Sequence, residues 1–280
     1  MGVLSSGRYM VSAAAIHVAR YSFYIGALIL ILCVIYTSVK VKEYPPKLYA
    51  EYHGIKDEKK GEKVNMLQLL IKAPKAFWTV GLVQFFCWAA FMFMWTYTNG
   101  TVAANVFDAP STLNVAGATV IDTASAQYQT AGDWVGILFA VQAVGSVIWA
   151  TIIPQFKNLK VAYVVSLLLG AVGFISILFI QDQYALFVSF LLIGCAWAAM
   201  LALPFTILTN ALSGSHMGTY LGLFNGTICV PQIVAASLGG LILKMFTTEG
   251  SIAPEVNMLV LAGVFLIIGA CCVGVIKEGK

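Results

Sequence analysis

Apolar residues come in seven long runs, and the segments between them hold nearly all the ionisable side chains. The runs lie at 21–39, 76–98, 132–153, 160–180, 184–206, 217–243 and 256–276. Each reaches the ~20 residues that cross about 30 Å of hydrocarbon at about 1.5 Å per residue. They lack the period-2 alternation of membrane β-strands, and lipid-exposed backbone must bond to itself, so each run is predicted to be a transmembrane helix. The expected fold is an all-α membrane protein with about seven transmembrane helices.

Composition agrees with that pattern. Hydrophobic residues make up 60% of the 280 and charged residues 10%, against roughly 45–50% and about 25% in a soluble domain. Mean hydropathy is +0.88. The net charge of +4 is modest. No basic cluster interleaved with aromatics points to nucleic acid. The expected partners are the bilayer and a ligand held between helices.

The basic residues set an expected orientation. Nine lysines fall between Lys40 and Lys75, and Lys157, Lys160, Lys277 and Lys280 fall on the same side of the seven-helix layout. The opposite side has Arg8, Arg20 and Lys244, and the loop 99–131 has no Lys or Arg. Segment 40–75 and the C-terminus are thus expected in the cytoplasm, and the N-terminus outside a plasma or inner membrane. The layout reads as an external segment 1–20, a first helix 21–39, a cytoplasmic loop 40–75, a six-helix bundle 76–276 and a tail 277–280. Pro45 and Pro46 close the first helix. Residues 64–73 suit a short amphipathic helix.

Polar groups at membrane depth mark candidate sites. Gln84, Trp88 and Trp95 are spaced to share one helical face. An amide and two indoles suit a sugar, whose apolar ring faces stack on aromatics while amides bond its hydroxyls. Trp95 and Tyr97, near the run's end, also fit an interfacial aromatic belt. Gln142 can line a cavity or bond a neighbouring helix. Asn225 and Gln232 are seven apart, and Pro231 between them removes a backbone donor, so a helix break is expected there. Trp149 fits an interfacial anchor.

Other chemistries lack residues. The six cysteines fall in predicted helices without CxxC or metal-ligand spacing, and are read as small buried hydrophobes. No nucleophile motif accompanies His17, His53 or His216, so neither enzyme activity nor a cofactor is expected. Asp133 is the one acid placed where it could touch a helix core. A seven-helix receptor would share the topology, but the chain lacks an Asp/Glu-Arg-Tyr or Asn-Pro-x-x-Tyr motif and a lysine midway along the last run. A non-transporting scaffold or remnant is the other alternative.

Several segments resemble one transporter family. Leu203–Ile233 carries P-F-x-I-x-x-N-A-L, then M-G-x-Y-x-G-x-F-N and P-Q. Lys75–Thr98 carries Q-F-F-x-W and W-x-Y-T, and SFYIGA at Ser22–Ala27 is followed by KEYPP at Lys42–Pro46. Together these are similar to sucrose- and maltose-type sugar:proton symporters, in the glycoside–pentoside–hexuronide branch of the major facilitator superfamily. The resemblance implies helices six to twelve of a twelve-helix carrier that imports a disaccharide with protons. It carries Gln84, Trp88, Asn225 and Gln232 over as sugar-facing residues. It also implies that the missing N-terminal half holds the proton-coupling acids and is needed for activity.

Overall fold

The computed structural model describes residues 3–41, 48, 51–52, 66–113, 119–212, 217–248 and 250–276. Among these, seven helices are long and apolar enough to cross a membrane. The protein is a multi-pass, mostly helical membrane protein, with one small hairpin among the described residues. The chain divides into two units, Met1–Gly61 and Glu62–Lys280.

The first unit contains α1, a helix of 38 residues from Val3 to Lys40. No proline interrupts residues 3–40, and helix continues through Arg20. The segment expected to stand apart as 1–20 is therefore helical from Val3 and continuous with the first span.

The second unit begins with α2, Met66–Ile71, where a short amphipathic helix was expected. After Pro74 comes α3, Lys75–Asn105, which runs past the expected end at 98. Its polar last turns stay helical, and the Thr98 and Thr101 hydroxyls are satisfied there by donating to the carbonyls of Met94 and Tyr97, at 2.6 and 2.8 Å. The chain leaves α3 through Asp108, in the left-handed region at φ 48°. It then forms an antiparallel hairpin of β1, Ser111–Leu113, and β2, Thr119–Ile121, inside what was expected to be plain loop.

Helix α4 spans Ala126–Ile152 and starts six residues before the expected 132. Ser125 fixes that start, its hydroxyl accepting from the Tyr128 amide at 3.2 Å. Helix α5, Leu159–Ser176, is capped by Asn158, whose Oδ1 accepts from the Lys160 and Val161 amides. Helix α6 is Leu186–Ala211. The sixth span divides into α7, Met217–Phe224, and α8, Gly226–Phe246, and α9 is Val256–Val273.

The interruption of the sixth span falls at Asn225. Pro231, expected to break this helix, lies inside α8. At Asn225 the ladder tightens: its amide is shared between the carbonyls of Leu221 and Gly222, and the Ile228 amide reaches the Asn225 carbonyl three residues back. A proline clashes one turn toward the N-terminus of its own position, which moves the distortion upstream.

Helix α3 is the centre of the unit and packs on α4, α6, α8 and α9, while α6 also packs on α4 and α5. Apolar association gives little drive between helices in lipid, so small residues and close approach carry the packing. Gly145 of α4 and Gly194 of α6 face each other's helices, with Leu191 backbone and the Gln142 carbonyl where a methyl would stand. Ser146 donates across this crossing to the Gly194 carbonyl at 3.0 Å. Outward faces carry Val144, Val147, Val172, Val188, Ile233 and Leu241, all exposed, as lipid-facing surfaces require.

The cysteines divide differently from expectation. Cys87 and Cys195 are buried, but Cys33, Cys229 and Cys271 are exposed. On a lipid-facing surface an apolar thiol needs no burial in protein, so small hydrophobe and exposed are compatible.

Candidate functional site: one stripe of helix α3

Five residues of α3 line up. At about 100° per residue, Gln84, Trp88, Phe91, Trp95 and Asn99 fall within about 80° of one another around the helix. This stripe meets α5 and α6, and its two ends behave differently.

At the lower end Gln84 is completely buried, with 0% of its surface exposed. Its Nε2 donates to the Met200 carbonyl of α6 at 3.3 Å, and its Oε1 accepts from the Tyr163 hydroxyl of α5 at 3.3 Å. The Tyr163 oxygen also lies 3.9 Å from Cys87 Sγ. Met200 is four residues before Pro204, which sits inside α6 and has no N–H to offer that carbonyl. The Gln84 amide supplies the missing donor. In an apolar interior such a replacement is strongly favoured, since an orphaned carbonyl costs about 1–3 kcal/mol. Gln84, expected to face a sugar, thus has both ends of its amide engaged by the bundle.

Higher up, indoles gather. Trp88 and Trp95 of α3 contact Trp197 of α6 with ring centroids 5.8 and 5.7 Å apart, in edge-to-face geometry. Phe91 completes the group, 4.9 Å from Trp197. Trp88 is 7% exposed, yet its Nε1–H has no hydrogen-bond partner among the described residues. Trp95 opens outward at 42% exposure and belongs to this cluster as well as to the helix surface. Three turns beyond Trp88, Asn99 Oδ1 is also buried and unpartnered. The stripe therefore presents one free donor and one free acceptor, about 16 Å apart along the axis.

Two indoles of α4 differ. Trp134 donates to the Gln183 carbonyl at 3.2 Å and Trp149 to Ser166 Oγ at 2.7 Å. Trp149 thus ties α4 to α5. A buried indole normally finds a partner, and Trp88, the buried indole among the described residues, has none.

No protein-family model matches this chain, and no curated protein matches it.

The remaining expected site residues lie on other helices. Gln142 of α4 is 6% exposed, and its side-chain amide makes no hydrogen bond among the described residues. Its backbone carbonyl packs on Gly194, one turn before Trp197. Asn225 is exposed at the helix interruption, and Gln232 is half-buried on α8. Pro231 deprives the Thr227 carbonyl of its usual donor, and the Thr227 side chain packs against Gly81 of α3. No hydrogen bond among the described residues links Asn225 or Gln232 to Gln84 or Trp88.

Trp197, Tyr163 and Asn99 were not read as site residues from sequence. Asn99 was legible in principle, because it continues the spacing of Trp88 and Trp95 by four. The others depend on which helix packs against α3.

One acid also sits where sequence did not place it. Asp133 is exposed at the start of α4, so it does not touch the core. Glu255, immediately before α9, is the acid pressed against a helix: its carboxyl oxygens occupy the space where a side chain on Gly100 would begin. Tyr97, expected in an interfacial belt, is buried beside it, its hydroxyl against Gly239 of α8. Burial pushes the Glu255 carboxyl up to about 7.

Proposed function

We propose that Glu62–Lys280 is the sugar-holding bundle of a secondary transporter related to the glycoside–pentoside–hexuronide branch of the major facilitator superfamily. In this reading it imports a disaccharide such as maltose or sucrose by proton symport, and five further helices complete the carrier. Segment 40–75 and the C-terminus face the cytoplasm.

The observation that carries the reading is the free Nε1–H of Trp88 inside the indole cluster. A buried donor left unpaired costs about 1–3 kcal/mol, and a ligand acceptor recovers that energy. Indole faces beside it suit the C–H faces of a pyranose, and Asn99 Oδ1 suits a hydroxyl donor further along. Trp88, Trp95, Trp197 and Asn99 form the proposed floor, with Gln142 beside them. Asn225, Gln232 and the Thr227 carbonyl lie on the distorted sixth span, where freed backbone groups serve substrate in other carriers. Gln84 and Tyr163 hold the floor in place.

Proteoliposomes test this. The chain is reconstituted alone and together with the five preceding helices, and labelled disaccharide uptake is driven by an imposed proton gradient. Uptake by the two together, reduced at least fivefold by Trp88→Phe, is expected for loss of a hydrogen bond worth ~1 kcal/mol. Full uptake by this chain alone contradicts the half-carrier reading. Absence of uptake by the combination contradicts the transport reading.

A further inference from the structure

The corner where α3, α8 and α9 meet holds a titratable group that the sugar reading does not use. Glu255 stands at the N-cap position of α9 with helical backbone angles, φ −60° and ψ −24°, and its side chain does not cap its own helix. The carboxyl lies on Gly100, and no other residue type leaves room for it there. Tyr97 lies one turn earlier on α3, near enough for its phenol to feel the Glu255 charge. The Tyr97 hydroxyl in turn fills the space above Gly239, 2.6 Å from where a methyl would stand. The carboxyl is thus seated where Gly100 leaves room for it, and the neighbouring phenol where Gly239 does.

Nothing among the described residues balances a charge in that seat. Glu255 makes no ion pair or side-chain hydrogen bond there, and α3 contributes Tyr97 as the titratable group facing it. Gly239 represents α8, and the next residues of α9, Val256, Asn257 and Met258, carry no charge. A carboxylate without a counter-ion is penalised by burial, whereas the neutral acid fits the seat and can donate its proton.

We propose that Glu255 is a proton-binding site, loaded when the α3–α8–α9 corner is closed and released to water when it ionises. The sign follows from the raised affinity for the proton. The closed corner is most stable below the carboxyl's ordinary value of 4.5, and it loses that advantage as pH rises toward and through about 7. The site thus gives this bundle a proton-exchanging acid of its own. The proposal stands whether or not the bundle binds sugar.

Infrared titration of the full chain in lipid nanodiscs tests it, with no sugar present. The wild-type spectrum minus that of Glu255→Gln, which keeps the shape and removes the proton, isolates one carboxyl. A carboxylic-acid band that disappears with a midpoint near 7 is expected. In Gly100→Ala the new methyl displaces the carboxyl from its seat, and the midpoint is expected to fall by a unit or more toward the ordinary value of 4.5. A wild-type midpoint already in the ordinary carboxylate range overturns the proposal. So does a midpoint near 7 that Gly100→Ala leaves unmoved, because the seat would then not be its cause.

Discussion

The two ends of the α3 stripe carry similar residues in opposite states. Around Gln84 every polar atom has a partner: the amide bridges Tyr163 of α5 and Met200 of α6 and replaces the donor that Pro204 lacks. Around Trp88 and Asn99 two buried polar atoms have none among the described residues. Spacing along a helix shows which groups share a face, but not whether the fold already uses them. A satisfied amide at membrane depth is a fastening. An unsatisfied donor among aromatic rings is free for a ligand.

The largest expected effect lies at the satisfied end. Gln84→Leu leaves Tyr163 and Met200 without their partner and should cost about 2–3 kcal/mol of stability, read by thermal unfolding in detergent. A sharper form adds Pro204→Ala, which restores an N–H to the Met200 carbonyl. In that background Gln84→Leu should cost about 1 kcal/mol less, and additive costs would break the assigned role. Next comes Gly194→Ala, whose methyl meets the Gln142 carbonyl and the Ser146 amide of α4. Overpacking this crossing should cost about 1–3 kcal/mol by the same measurement. At the unsatisfied end the cost should be smaller. Trp88→Phe deletes an unpartnered donor, which offsets the packing that the smaller ring forfeits, so the ligand-free protein should stay within about 1 kcal/mol of wild type. A loss of about 2 kcal/mol or more there would contradict an unpartnered Nε1–H. The smallest effect is at Asn225, exposed at the interruption, where Asn225→Ala should stay within about 0.5 kcal/mol.

Much of this architecture was legible as a pattern of apolar runs, because lipid-facing and core-facing residues are both apolar and charges are confined to the ends. The span limits were less legible. Helix α3 continues through Asn99-Gly100-Thr101, where the threonine hydroxyl is satisfied within the helix, and α4 starts at a serine cap embedded in a polar loop. The distortion of the sixth span was assigned to Pro231, but its steric effect appears upstream at Asn225. Within the site, the shared face of Gln84, Trp88 and Trp95 followed from spacing. The roles of Tyr163, Trp197 and Glu255 arise from contacts between helices far apart in sequence, which periodicity does not encode.

The central claim, that Trp88 keeps a donor free for a sugar, is open to nitrogen–proton spectroscopy of the indole groups in nanodiscs. Trp134 and Trp149 serve as internal controls, since their N–H groups are already bonded within the bundle. On adding maltose or sucrose, the resonance lost in Trp88→Phe should shift while those two stay in place. A Trp88 resonance that remains fixed at saturating sugar, or that shifts no more than the two controls, would contradict the account.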